Sequence, residues 1–430
     1  MLALAQMARA PRQAIRMTLL LALATAFAIF TLIFTASQTQ RIFDVASYQS
    51  GADFNGVLRV NFYTSSQVAE AEAAYRHIPG VISASFGYTK YINAGGSVET
   101  FRVDFKAVNA STFAQTAIWS QQDSTQSLGD LMGQLRSQRT LAASRKVVPA
   151  IVDASTWNTL HLSPGSNFTL SLSTVGYTDL MNFTPIAEVQ HIPSSADQAP
   201  PVVLVDFQSF AAVYGETIGT SGYAVSPNTV WLRTHDDAAS LASVRKALNQ
   251  GPLQLDFLYD RRTMIADLSH EPLYLDLFGV LALGAATALL LALVGDLIAS
   301  WVSARNRLSN FAILRALGAS PGQIARTLLW EQGIIYIASI GAGIIFGAIL
   351  SAIVIPTLVI TSVASNAVNS DISSGGLYVA QMIPPIQIIV PTSLGIVLGG
   401  LTVICSVALA IMVRSVSRPA ISQVLRLNED

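Results

Sequence analysis

Long uncharged stretches interrupt this sequence, and their lengths predict its most prominent elements. Met17–Ser37 carries no charged residue, and as a helix rising about 1.5 Å per residue it is long enough to cross about 30 Å of hydrocarbon. Leu277–Gly295 is a second such stretch, and no charge falls between Gly333 and Asp371 or between Asp371 and Arg414. Pro384, Pro385 and Pro391 delay the start of the last helix. The pattern predicts four spans, at 17–37, 274–303, 329–361 and 387–413. They separate a short leading segment (1–16), a large polar region (38–273), a connection (304–328), a second, shorter connection (362–386) and a tail (414–430).

Within 38–273 the periodicity changes. Val57–Tyr63 is β-branched and aromatic, and reads as a strand. Ser65 or Ser66 is a candidate cap for a helix over 66–77, where Val68, Ala71, Tyr75 and Ile78 recur at helical spacing. Pro79-Gly80 turns the chain into a strand over Val81–Tyr88. The order repeats near the far end: strand Thr229–Arg233, helix Asp236–Leu248, turn Gly251-Pro252, strand Leu253–Leu258. Two strand–helix–strand units around a middle section predict a split, ferredoxin-like α+β domain. The middle, about 140–225, reads as a β insertion with strands at Val147–Val152, Phe168–Leu172, Phe183–Val189 and Val202–Val205, and a short helix near Ser155–Leu160. Gln121–Gln138 is rich in Gln and Ser, and reads as a flexible connection or an exposed helix.

Composition agrees with the spans. Of 430 residues, 51% are hydrophobic and 12% charged, with a net charge of −1. That is too apolar for an ordinary soluble chain, and the charge gives no footprint for nucleic acid. Arg9, Arg12 and Arg16 precede the first span, Arg305, Arg307, Arg315 and Arg326 lie between the second and third, and Arg414, Arg418 and Arg426 follow the fourth. The positive-inside bias therefore puts both termini and 304–328 in the cytoplasm, and 38–273 and 362–386 outside. The first apolar stretch is longer than a signal-peptide core, so it reads as a retained anchor. Cys405, the single cysteine, falls in the fourth span, which leaves the outer region no disulfide.

Few residues offer chemistry. There is no phosphate-binding Gly-x-x-x-x-Gly-Lys-Ser/Thr loop and no Gly-x-Ser-x-Gly elbow, and His77, His161, His191, His235 and His270 lack any ligand spacing. The sequence predicts no catalytic residue, no metal and no cofactor in this chain. Asp296 is the one carboxylate near a span interior; lying about 28 Å along a helix entered at Leu277, it reaches the cytoplasmic headgroups. Ser339, Gly343, Gly347 and Ser351 recur every four residues on one face of the third span, and Gly395 and Gly399 do so on the fourth. They predict faces of close helix packing, within the chain or between two copies.

The connection 304–328 is the most informative stretch. It displays Phe311, Ile313, Leu314 and Leu317 on a helix too short to bury them, which calls for a partner protein. Gly318 is suited to close that helix, Ser320 to cap the next and Pro321 to its first turn.

With these elements in hand, the chain resembles the FtsX-like (MacB-type) permease family of ABC transporters. The resemblance rests on Phe311–Gln323 (Phe-Ala-Ile-Leu-Arg-Ala-Leu-Gly-Ala-Ser-Pro-Gly-Gln), Leu329-Trp330-Glu331, the Gly-rich third span and the ending from Pro419 to Arg426. It implies an α-helical membrane protein with four transmembrane helices and a large α+β extracytoplasmic porter domain, in a bacterial plasma membrane. Phe311, Ile313, Leu314, Arg315 and Leu317 would dock a separate cytoplasmic ATPase that holds ATP and Mg. Glu331 would stand at the start of the third span, where the family often keeps a carboxylate. Asn310 departs from the family's usual Glu, removing one polar contact to the ATPase. The stretch Leu4–Asp53 also looks like the start of the second half of duplicated family members, so a second copy or a related half-permease is an expected partner. The implied function is ATP-coupled movement of the outer domain for export or extraction of a hydrophobic, lipid-like or peptide substrate. The alternative is a non-transporting relay to an extracellular partner such as a cell-wall hydrolase.

Overall fold

The computed structural model describes residues 11–62, 64–95, 100–163, 165–172, 180–193, 201–217, 225–270, 272–306, 320–358 and 386–417. They form two compact units: residues 41–269 in one, and residues up to 40, 270–360 and from 387 onward in the other.

The first helix, α1 (Pro11–Ser50), is 40 residues long. It outruns the span expected at 17–37 because no Gly or Pro interrupts the sequence from Arg12 to Ser50. Gly51 ends it in the left-handed region (φ +64°), its N–H donating to Ser47 O at 2.9 Å.

In the unit of residues 41–269, called the outer domain after the side of the membrane expected for it, β1 (Phe54–Leu58) is followed by α2 (Ser65–Arg76) and β2 (Val81–Gly95). The cap of α2 is Thr64, one residue before the expected Ser65 or Ser66. Its side chain accepts from Gln67 N, while Gln67 Oε1 accepts from Thr64 N. The strand expected at 57–63 begins and ends earlier, because its antiparallel pairing starts at Phe54 and stops where Val57 faces Thr229 and Leu58 faces Leu255. Next come β3 (Thr100–Val108), α3 (Phe113–Thr116), α4 (Leu128–Ser137), α5 (Arg139–Arg145), β4 (Val148–Asp153), α6 (Ala154–Thr159), β5 (Phe168–Ser171), β6 (Leu180–Val189), β7 (Val202–Asp206) and α7 (Phe207–Thr217). The chain then forms β8 (Thr229–Thr234), α8 (Ala238–Asn249), β9 (Leu255–Asp260) and α9 (Arg261–Ser269).

Two sheet systems share β2. Its first half pairs antiparallel with β8, giving the order β9-β1-β8-β2, with every neighbour antiparallel. Its second half pairs with β3, and the succession β2-β3-β7-β4-β6-β5 returns to β2, closing a six-stranded ring. The β region therefore begins before the expected 140, since β3 and the far half of β2 complete it. Val103, Phe105, Ala150, Leu170, Phe183 and Val203 fill the ring, joined by Phe210 of α7, whose ring centroid lies 4.9 Å from that of Phe105. It is a packed core and not a channel. A second core, with Phe54, Tyr75, Phe86, Leu232, Val244 and Leu248, lies under α2 and α8.

Part of Gln121–Gln138 is neither flexible nor wholly exposed. Leu128, Leu131, Met132 and Leu135 of α4 are buried at helical spacing, in a third core shared with Val202, Leu204 and Trp231. The surrounding Gln and Ser residues hide that stripe.

The other unit contains α1 to Gln40 with α10 (Pro272–Asn306), α11 (Pro321–Leu358) and α12 (Ser393–Ser417). Among the described residues, four helices are thus long and apolar enough to cross a membrane. Each contributes to one small core, through Leu21 and Ala24, Ala292, Tyr336, and Leu401 and Cys405. The last helix starts at Ser393, later than the expected 387. The stretch before it is anchored instead by Ile389 N, which donates to Ser37 Oγ at 2.9 Å.

Candidate coupling and helix-packing site

The helix α11 begins as a capping box. Ser320 Oγ accepts from Gln323 N at 3.3 Å, Gln323 Oε1 accepts from Ser320 N at 3.1 Å, and Pro321 is the first helical residue. A helix opens with backbone donors that have no partner inside it; Pro321 carries no N–H, and this reciprocal cap satisfies the N–H groups of Ser320 and Gln323 while fixing the direction in which the chain arrives. Phe311, Ile313, Leu314, Arg315, Leu317 and Gly318, expected to precede it as the docking helix, lie outside the described residues, as does the side chain of Asp296.

Three turns into α11 the buried face turns polar. Glu331 and Gln332 are both 5% exposed, while Trp330 is 60% exposed. Gln332 Oε1 has no hydrogen-bond partner among the described residues. Further along, Ser339 and Ser351 are buried while Ile337, Ile345, Phe346 and Ile353 face outward. Small and polar groups inside with large apolar ones outside is the reverse of a soluble helix, and is the arrangement hydrocarbon demands.

The residues Ser339, Gly343, Gly347 and Ser351 form one stripe, and its glycines lie against α1. A Cβ on Gly343 would stand 2.7 Å from Thr25 Cβ and 3.0 Å from Ala22 O; on Gly347 it would stand 2.9 Å from Ile29 Cβ. Real Cβ atoms do not approach so closely, so glycine is required at both positions. The hydroxyls in this seam bond to their own helices: Thr25 to Leu21 O at 2.7 Å, Ser339 to Ile335 O at 2.7 Å and Ser351 to Gly347 O at 2.8 Å. Gly395 and Gly399 differ, since a Cβ on either would meet nothing within 4 Å among the described residues. The counterpart residues on α1 were hidden in the sequence within a long uncharged run.

Between α11 and α12 lies an apolar groove of about 720 Å³, with Gly333, Tyr336, Ile340, Cys405 and Leu409 on its walls. Thr402 and Ser406 also line it, but both hydroxyls are spent on carbonyls four residues earlier. Such a surface accommodates hydrocarbon.

Four helices long and apolar enough to cross a membrane, one of which (α11) buries small and polar residues along one face, have the make-up of a membrane protein. Residues 282–421 match the family model described as FtsX-like permease C-terminal, so this region of the chain is similar to FtsX-like permease domains. No curated protein matches the chain. Among solved structures it is similar to the extracellular domain of the noncanonic ABC-type transporter YknZ from Gram-positive bacteria, at 14% identity and a TM-score of 0.26, over 44% of this chain and 88% of that one. It is also similar to the periplasmic region of MacB from Actinobacillus actinomycetemcomitans, at 9% identity and a TM-score of 0.30, over 52% of this chain and 95% of that one. Both scores are low, and neither the fold nor the function of this chain rests on them.

Proposed function

We infer that this chain is the membrane-spanning, non-catalytic subunit of an ABC transporter in a bacterial plasma membrane. It couples ATP hydrolysis by a separate cytoplasmic ATPase, which holds the ATP and Mg, to movement of its outer domain. The observation that carries this reading is the permease match over 282–421, which includes the whole connection 304–328 and the capped start of α11. Phe311, Ile313, Leu314, Arg315 and Leu317 form the docking surface, Gly318 ends that short helix, and Glu331 stands at the start of the third span. Both termini are cytoplasmic, following the arginine distribution. The outer domain is a ferredoxin-like porter domain, a reading supported by the antiparallel order β9-β1-β8-β2 with α2 and α8 as its two crossovers. A second permease copy or a related half-permease completes the assembly, and Gly395 and Gly399 offer it close approach. The cargo is hydrophobic, lipid-like or peptidic, in keeping with the apolar groove beside α12.

A relay to an extracellular partner is the second reading. It is favoured by the pairing of β1 with β9, which joins the two ends of the outer domain side by side, so that it moves as one body.

The test is gentle extraction of the tagged chain from its native membrane, followed by identification of what co-purifies. A soluble ATPase should be recovered and should be lost on Leu314→Asp while membrane insertion persists. Unchanged association in that variant sinks the docking assignment. A co-purifying extracellular hydrolase in place of any cargo favours the relay.

A further inference from the structure

One polar cleft in the outer domain has no part in the coupling reading. It measures about 620 Å³ and is formed where β8 ends, where the chain leaves α3, and where α9 begins. Ile82, Ile118 and Trp119 supply apolar surface, and Asp53, Arg233 and Thr234 supply polar surface.

The charges at this cleft do not balance. Arg261 Nη2 lies 3.0 Å from Asp53 Oδ1, and Arg262 Nη2 lies 3.5 Å from the same oxygen. Arg262 also pairs with Asp236. That hydrogen bond, and the charge behind it, hold the Asp236 carboxyl below the usual carboxylate range, so it stays ionised. With Arg262 behind the lining and paired to both carboxylates, three guanidiniums therefore meet two carboxylates. The third, Arg233, is exposed and has no carboxylate partner among the described residues; its one contact is Nη1 to Gln115 O at 3.5 Å, at the limit of a hydrogen bond.

Unused donors surround the same space. Trp119 Nε1, Thr234 Oγ1 and Arg261 Nε are all buried and lack a hydrogen-bond partner among the described residues. Thr234 is 5% exposed, and its backbone N–H is already committed to Asp53 Oδ2 at 2.9 Å. These groups have given up water without gaining an acceptor, the condition of a site organised before its ligand arrives.

We propose that this cleft binds a small organic monocarboxylate with an apolar body. The carboxylate lies against the Arg233 guanidinium, whose planar fork matches its two oxygens. The apolar body lies on Ile82, Ile118 and the Trp119 indole. One unmatched cation selects a single negative charge, and the size of the cleft is that of small-molecule sites, not of a protein surface. His235 stands exposed on the rim, and the carboxylates of Asp53 and Asp236, each already paired with arginine, disfavour a second anionic group. The site belongs to the outer domain alone and stands or falls independently of ATPase docking.

The test is calorimetric titration of the full-length chain, held in amphipol, with 3-phenylpropionate and with its uncharged amide. Saturable binding of the acid, with the amide weaker by about tenfold or more, is expected. Arg233→Gln should weaken the acid to the level of the amide, while Arg76→Gln, on α2 and outside the cleft, should not change it. No saturable binding, equal binding of acid and amide, or an unchanged affinity in Arg233→Gln overturns the proposal. If Arg233→Gln fails to fold, the comparison of acid with amide on the unaltered chain still decides it.

Discussion

Asp53 and Arg261, 208 residues apart in sequence, meet at 3.0 Å through the Arg261 Nη2–Asp53 Oδ1 bond. Their backbones meet as well, Arg261 N donating to Asp53 O at 3.1 Å. Asp53 follows α1 by three residues and Arg261 opens the helix that precedes α10, so the pair fastens the two ends of the outer domain together. Asp53 Oδ2 also accepts from Thr234 N at 2.9 Å, which ties both ends to β8.

Removing the carboxylate therefore strands Arg261, while Arg262 keeps Asp236 as its partner. Asp53→Ala should destabilise the outer domain by about 3 kcal/mol, the scale for breaking one side of a largely buried ion pair. A double-mutant cycle of Asp53→Asn with Arg261→Gln should give a coupling of about 1–3 kcal/mol by chemical unfolding of the full chain. Additive effects would show that the backbone pairing alone holds the ends.

The two glycine stripes should respond differently to the same change. Gly343→Leu forces α1 and α11 apart, since even a Cβ would stand 2.7 Å from Thr25. A lower thermal midpoint is expected, equivalent to a loss of about 1–3 kcal/mol or more. Gly395→Leu meets nothing within 4 Å among the described residues and should stay within about 0.5 kcal/mol in the isolated chain. If Gly395→Leu instead disrupts a higher-order complex in native membranes, that face packs against another chain.

The ring carries a buried charge pair, Lys106 Nζ–Asp104 Oδ2 at 3.0 Å, with Lys106 Nζ also donating to Pro193 O at 3.3 Å. Lys106→Met alone leaves Asp104 buried without its cation and should cost about 3–5 kcal/mol. The double replacement Asp104→Leu with Lys106→Met should recover most of that loss. Burial pushes the Lys106 pKa below the ordinary lysine range. Because the folded-state value is the depressed one, the stability linked to this group is present above the unfolded pKa and is lost as pH falls through the folded pKa. Unfolding free energies measured across alkaline pH should show that slope in the unaltered chain, and both variants should lack it.

Much of this architecture could be read from the sequence because hydrocarbon and repeated strand–helix–strand patterns leave strong periodic signals. The four apolar helices follow from uncharged runs, and the Ser320 cap follows from residue type and position. Strand ends such as Leu58 were less legible, since they depend on where a partner stops and not on local propensity. The buried stripe of α4 was masked by its Gln and Ser neighbours, although Leu128, Leu131, Met132 and Leu135 carry the spacing openly. The closure of the ring was not legible at all, because it depends on the long-range pairing of β2 with β5. The cleft at Arg233 was hidden for a similar reason: Asp53, Trp119, Arg233 and Arg261 are scattered along the chain, and no local motif joins them.

The seam between α1 and α11 contains Thr25, Ser339 and Ser351, yet none of these hydroxyls depends on the opposite helix for its hydrogen bond. Cohesion there comes from the fit of glycine against side chain, a short-range attraction that fades within an ångström or two. Parting the two helices would consequently leave each of these three hydroxyls with its hydrogen bond intact, so shape alone, and no shared polar bond, decides how closely they lie.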